Sequence, residues 1–355
     1  MGLFDFLKKK DAKPQASDSS STAYNDVMPI EKRIRSTQPT CDGLFPHEIL
    51  VLSYAESYTT EDHEFSGFWQ YKYGINDVQA ILRKLNLKGY LVIGNIEDVL
   101  ENLKMPTLKQ LLQERNLKVS GKKAELIERI LENVSLQELE SRFKERPYKL
   151  TDTGKTTLDK FEWIPYIHRH YIDGLDIWNL TCMVQTPPYT KYRDKIWRYL
   201  NQLGVKYAEE GNWGLYRNSR FQMSEFVMEE EKPEIAFNLL CEVMSYDLSG
   251  IGNGFKPQFM ASQYEYYFPY EKSIVKTAPG ILDRIAKLAD EFGWSENQLR
   301  DALIKAFDKY SVQYGIFTSE EKAGIVIAEM RKDIQTLNSI YSISQKQFKK
   351  KYGIK

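Results

Sequence analysis

Between Lys104 and Lys123 lie six basic residues (Lys104, Lys109, Arg115, Lys118, Lys122 and Lys123) and one acid, Glu114. This +5 stretch sits in a chain whose lysines and arginines, 49, equal its aspartates and glutamates, 49. The chemistry that such a stretch can do is capture of a polyanion. Amides that open a helix have no intrahelical acceptor and attract anions, so lysines placed beside them make a phosphate cradle. The turn Lys118-Val119-Ser120-Gly121 stands between two helical patterns. Gly121 gives it a permissive backbone, and Ser120 is placed to cap the helix that Lys122 and Lys123 open. Arg129 stands at helical spacing from Glu125 and Glu132 and is expected to pair with one of them.

Other chemistries find little to work with. The histidines are four, His47, His63, His168 and His170. Only His168 and His170 are close; on a strand they would share a face, on a helix they would diverge, and no third metal ligand stands at a suitable spacing. Cys41, Cys182 and Cys241 are far apart, with no CxxC spacing. The sparse, odd count fits unpaired thiols in a reducing cytoplasm. No phosphate-loop, nucleophile-elbow or zincin motif occurs. Gly250-Ile251-Gly252-Asn253-Gly254 imitates a glycine-rich loop, but no strand pattern precedes it, so it reads as a crossover. No enzyme activity, metal or cofactor is expected.

The elements that must hold the lysines follow from hydrophobic period. Pro106 suits a first helical turn, and Leu108, Leu111 and Leu112 form that helix's apolar face. Leu126, Ile127, Ile130 and Leu131 form the face of the second. Upstream, Val78, Ile81, Leu82 and Leu85 predict a helix with Asn76 as cap and Lys88-Gly89 as its end. Trp69 and its aromatic neighbours read as core. A helix is expected over 135–147, and Tyr148 to Leu158 reads as a short strand, a capped turn and a helix start. Beyond residue 160 helical spacing is the rule. Helices are expected around Tyr192–Leu203, on either side of Lys232-Pro233, at Ile281–Phe292, after Ser295 and after Thr318. Residues 245–270, rich in Gly and Tyr, read as a long ordered loop.

The helix-turn-helix of residues 103–134 resembles a SAP motif, a small module found in eukaryotic scaffold-attachment proteins and in bacterial and phage proteins. The resemblance rests on Leu108, Leu111, Leu117, Ser120, Gly121, Lys123, Leu126, Ile127, Arg129 and Ile130. It covers about 35 of the 355 residues. The layout around it also resembles Firmicute and prophage proteins that carry the motif. The family implies contact with duplex DNA, often A·T-rich, at backbone and minor groove. Carried onto this chain, that implies contacts from Lys118, Ser120, Gly121, Lys122 and Lys123, with Thr107 and Lys109 in support. No Arg stands where a minor-groove reader would want one, so weak, salt-dependent binding is implied.

Zero net charge excludes a protein that coats nucleic acid along its whole surface. An apolar share of 42% and an aromatic share of 13% argue for a folded chain. No apolar run reaches the ~20 residues that span a bilayer, so no membrane partner is expected. The fold class is mainly α: a SAP helix-turn-helix module plus a C-terminal domain of helical hairpins that resemble tetratricopeptide hairpins. The expected order is a disordered leader at 1–27, an α-rich aromatic domain at 28–98, the module at 99–135 and a helical domain at 136–355. Two readings follow. One is a non-enzymatic DNA-binding protein in which the module tethers a helical interaction domain. The other is a helical scaffold or phage accessory factor whose module docks protein, with an unknown protein or a second copy as partner of the C-terminal helices.

Overall fold

A computed structural model describes residues 27–62, 64–253, 257–310, 312 and 315–354. All of the expected leader but Val27, and His63, lie outside the described residues. Two compact units divide the chain between Tyr189 and Thr190. The described residues are mainly helical, as expected.

The first unit is built on α2 (Pro46–Tyr54), whose residues from Pro46 to Leu52 are all buried. Before it comes α1 (Ile30–Arg35), and after it α3 (Phe68–Tyr73) and α4 (Val78–Leu87). A helix buried on every side needs neighbours all round, and α4 packs against α2. The Glu48 carboxylate within α2 is satisfied by Lys84 at 2.5 Å and by the Phe45 amide at 2.8 Å. The cap of α4 is Asp77, which accepts from the Ala80 amide at 2.7 Å, not Asn76. An ionised carboxylate one residue later is the stronger acceptor for a first-turn amide. Trp69 is core, as read from sequence, and its indole donates to the Tyr58 hydroxyl at 2.9 Å.

Two three-residue strands, β1 (Leu91–Ile93) and β2 (Tyr148–Leu150), pair antiparallel with Ile93 opposite Tyr148. Between them the chain leaves and returns through α5 (Ile96–Asn102), α6 (Met105–Gln113), α7 (Lys123–Asn133) and α8 (Leu136–Arg142). The last ends five residues before Pro147, short of the expected boundary. These four helices close a core of their own, drawn from Ile96, Val99, Leu100, Leu108, Leu111, Leu112, Leu126, Ile127, Ile130, Val134 and Leu139. The lysine-bearing hairpin is thus an insertion at the open end of a two-stranded ladder.

After β2, Thr151 caps α9 (Asp152–Lys160) by accepting from the Gly154 amide at 3.0 Å, while its own hydroxyl donates to the Gly89 carbonyl at 2.8 Å. Gly154 lies so near the Tyr90 carbonyl oxygen that no Cβ fits. The strand, cap and helix start read from Tyr148 to Leu158 are present. Then follow α10 (Trp163–Arg169) and α11 (Ile177–Val184). Helices α9, α10 and α11 pack on α2. Residues 136–189 therefore group with the N-terminal segment and not with the C-terminal helices, because β2 completes the ladder and three helices enclose α2.

His168 and His170 lie at the end of α10, not on a strand. His168 Nδ1 bonds the Tyr73 hydroxyl at 2.6 Å and Nε2 the Tyr54 hydroxyl at 3.0 Å. Burial, helped by the charges of Lys72 and Arg169, pushes its pKa down to about 4. It is a neutral ring with both nitrogens used. His170 bonds the Tyr166 carbonyl at 2.8 Å and stacks on the Tyr166 ring.

The second unit begins with α12 (Tyr192–Glu209), α13 (Trp213–Met228) and α14 (Pro233–Asp247), each packed on the next. Ile251–Asn253 form a short 3-10 turn packed on α13, as befits a crossover. After α15 (Tyr264–Tyr267) come α16 (Pro279–Glu291), α17 (Glu296–Lys309), α18 (Ser319–Arg331) and α19 (Ile334–Tyr352). Ser295 and Thr318 cap α17 and α18 as their sequences predict. Tyr267 and Phe268, from the Tyr-rich loop, are buried with Val275, Phe317, Tyr341 and Phe348. Tyr264, Tyr270 and Tyr352 pack against the same core. No described helix is long and apolar enough to cross a membrane.

Candidate nucleic-acid interface

The lysine-bearing turn is shaped by backbone and fixed by two side chains. The C-terminus of α6 unwinds through Asn116, whose φ of +57° is left-handed. The Leu117 amide then donates back to the Leu112 carbonyl at 2.9 Å, closing the helix end. Gly121 takes φ of +138°, a conformation that a side chain would strain. The turn ends at Lys122, the N-cap residue of α7, whose amide donates to the Glu125 carboxylate at 3.2 Å. Ser120 is therefore not the cap. The helix opens two residues later, after the glycine has redirected the chain.

A lysine side chain carries no acceptor, so no side chain caps the first-turn amides of α7. They remain donors for an anion.

Arg129 does not pair with Glu125 or Glu132. Its guanidinium reaches back to the turn and donates to the carbonyls of Lys118 at 2.7 Å and Ser120 at 3.4 Å. Helical side chains lean toward their own N-terminus, and here that lean carries the cation onto two carbonyls that α7 cannot satisfy. Arg129 is a brace for the turn.

The cations divide into two sets. Arg115 is engaged by Glu138, and Glu114 by Arg142 through contacts at 2.5 and 3.1 Å. The Arg142 guanidinium holds the Glu114 carboxyl below its ordinary pKa. Lys123 is half-buried, and its ammonium donates to the Glu101 carbonyl at the end of α5. It is thereby withdrawn from the turn. Lys104, Lys109, Lys118 and Lys122 are exposed, and no ion pair joins them among the described residues. Ser120 and Gly121 are exposed beside them. Thr107 is half-buried in the first turn of α6, its amide spent on the Lys104 carbonyl at 3.0 Å.

The Lys123–Glu101 contact does a second thing. It seats the start of α7 against the end of α5, and Lys104 follows Glu101 by three residues at the start of α6. The two helix starts, each with an exposed lysine at its N-cap, adjoin the same corner. Lys104 belongs to the basic stretch, but the family resemblance implies no contact for it. Its signal is the N-cap position before Met105-Pro106.

Residues 99–135 match the family model of the SAP domain. The match covers the two lysine-bearing helices and their turn and leaves the rest of the chain outside it. No curated protein and no solved structure is similar to the chain. The presence of a SAP domain points to nucleic-acid binding in general.

Proposed function

We propose that the chain is a non-enzymatic DNA-binding protein whose SAP domain grips the phosphate backbone of duplex DNA and tethers the helical remainder to it. Lys118 and Lys122 flank the exposed Ser120-Gly121 turn and supply the charge. The first-turn amides of α7 supply directional donors, and Lys104 and Lys109 extend the contact along α6. Arg129 and Glu125 keep the turn in one conformation, which spares the ordering cost on binding. The observation that carries the reading is the sorting of cations: those on the turn stay exposed, while Arg115 and Lys123 are tied into the fold. With contacts of this kind, phosphate positions the protein and sequence preference is slight.

The test is titration of an A·T-rich duplex at low salt with the full chain and with Lys118→Glu/Lys122→Glu. Replacing two of about four phosphate contacts by repulsive charges should weaken binding at least ~100-fold, at unchanged helicity. A wild-type chain that shows no affinity at low salt ends the proposal.

A further inference from the structure

The same four-helix insertion carries a second surface whose chemistry is the reverse of the turn's. Helices α5 and α7 flank a groove of about 730 Å³. Its floor is Ala124, Ile127 and Leu131, spaced three and four apart along α7. Its rim carries Glu97 and Glu101 from α5, and Glu128 and Glu132 from α7. The one cation at the edge, Lys123, is already spent on the Glu101 carbonyl. All four rim glutamates are exposed, and none has an ion-pair partner among the described residues. Leu131 is an exposed leucine, 37% accessible. An apolar floor under four carboxylates fits a short segment that is apolar at one end and cationic at the other.

The chain contains such a segment. Residues 3–10 read Leu-Phe-Asp-Phe-Leu-Lys-Lys-Lys. Four large apolar residues are followed at once by three lysines. Seventeen residues separate Lys10 from Met28, where the chain joins the first unit by the hydrogen bond of Ile30 to Gly74. A linker of that length reaches at most about 60 Å when extended. A compact unit of the first unit's size is about 40 Å across, so the tether is long enough to reach most of its surface.

We propose that residues 3–10 dock in the α5–α7 groove of their own chain. Leu3, Phe4, Phe6 and Leu7 cover the Ala124, Ile127 and Leu131 floor, and Lys8, Lys9 and Lys10 meet the four glutamates. Docking neutralises the acidic face of the insertion without using any residue of the lysine-bearing turn. The proposal stands whether or not the turn binds DNA.

The experiment uses the full chain with Phe4 replaced by the photoreactive p-benzoylphenylalanine. It is irradiated at micromolar concentration and the cross-linked peptides are identified by mass spectrometry. The expected product is a monomer in which position 4 is joined to residues 124–132. Glu128→Lys/Glu132→Lys should cut its yield about fivefold, since two attractive pairs become repulsive. Adding Lys8→Glu/Lys9→Glu/Lys10→Glu to that variant should restore it. Circular dichroism of each variant guards against unfolding. A cross-link elsewhere, a dimer as the main product, or a yield indifferent to the charge reversal overturns the proposal. The dimer would point to the segment of a second copy, and a cross-link confined to added anionic vesicles would point to a lipid surface.

Discussion

Single side chains decide which of the cations can act. Arg129 and Lys123 belong to the lysine-rich helix pair by sequence, yet both point inward to carbonyls, and Lys118 and Lys122 are left to the solvent. The type and number of charges were legible from the sequence, and so was the glycine that the turn requires. The partners were not, because the Lys123 contact spans 22 residues and the Arg129 contact 11. Local spacing offers Arg129 two glutamates a turn away, and only the folded turn offers it two unsatisfied carbonyls. The histidines illustrate the same limit. The spacing of His168 and His170 leaves their partners open, and His168 is a neutral ring held between two tyrosine hydroxyls. His47 is buried in α2, and burial pushes its pKa, like that of His168, down to about 4. For both, the unfolded chain binds a proton below pH 6.5 while the folded chain still refuses it. The stability they contribute is complete above pH 6.5 and is lost as pH falls toward 4. Thermal melts across that window should show the first unit losing stability. In His168→Gln the loss should be shallower, and an equally steep loss in that variant would mean that other groups drive it.

At the scale of elements, the main finding is that the SAP domain interrupts a ladder of two three-residue strands. Helix existence was readable, since periods such as Val78, Ile81, Leu82 and Leu85 are strong signals. The ladder was harder, because three residues cannot display an alternation, and the partner of Ile93 is Tyr148, far along the chain. For this reason the grouping of residues 136–189 with the first unit is not legible from hydrophobic period, although their strand and capped turn are. An insertion whose ends meet in register, and whose core is its own, is separable in principle. Replacing residues 95–146 by an Asn-Gly turn should leave the remaining chain folded, since that dipeptide suits a two-residue hairpin. The change also removes the Thr60 to Arg146 hydrogen bonds and the Lys149–Asp98 pair. Exposed or half-buried contacts of this kind cost about 1–3 kcal/mol together. Denaturant unfolding of the shortened chain should therefore show one lowered but cooperative transition for the first unit. Loss of cooperativity would mean that the four helices are part of that unit's core.

For the whole molecule, charge is balanced but unevenly placed. A neutral chain exerts no long-range pull on a polyanion, so any affinity must come from the few cations at the contact. The C-terminal lysines form a further basic cluster, and the sequence invites the thought that they add to it. Among them, Lys349 lies over the Tyr264 ring at 5.4 Å and Lys351 over the Tyr352 ring at 5.3 Å, so two of the cluster already rest on aromatic faces of their own unit. The electrostatic term then has a definite size. Four neutralised phosphates give a slope of log affinity against log salt of about −3.6, which is a loss of roughly 100-fold between 50 and 200 mM salt. Titrations of the duplex over that range should return such a slope for the full chain. Lys346→Gln/Lys349→Gln/Lys350→Gln/Lys351→Gln should return the same slope, because those residues make no phosphate contact in this arrangement. A slope near −7 that falls to about −3.6 in the quadruple variant would show that both units grip the duplex. The tether would then be a clamp, with the helical remainder held against the DNA as well as linked to it.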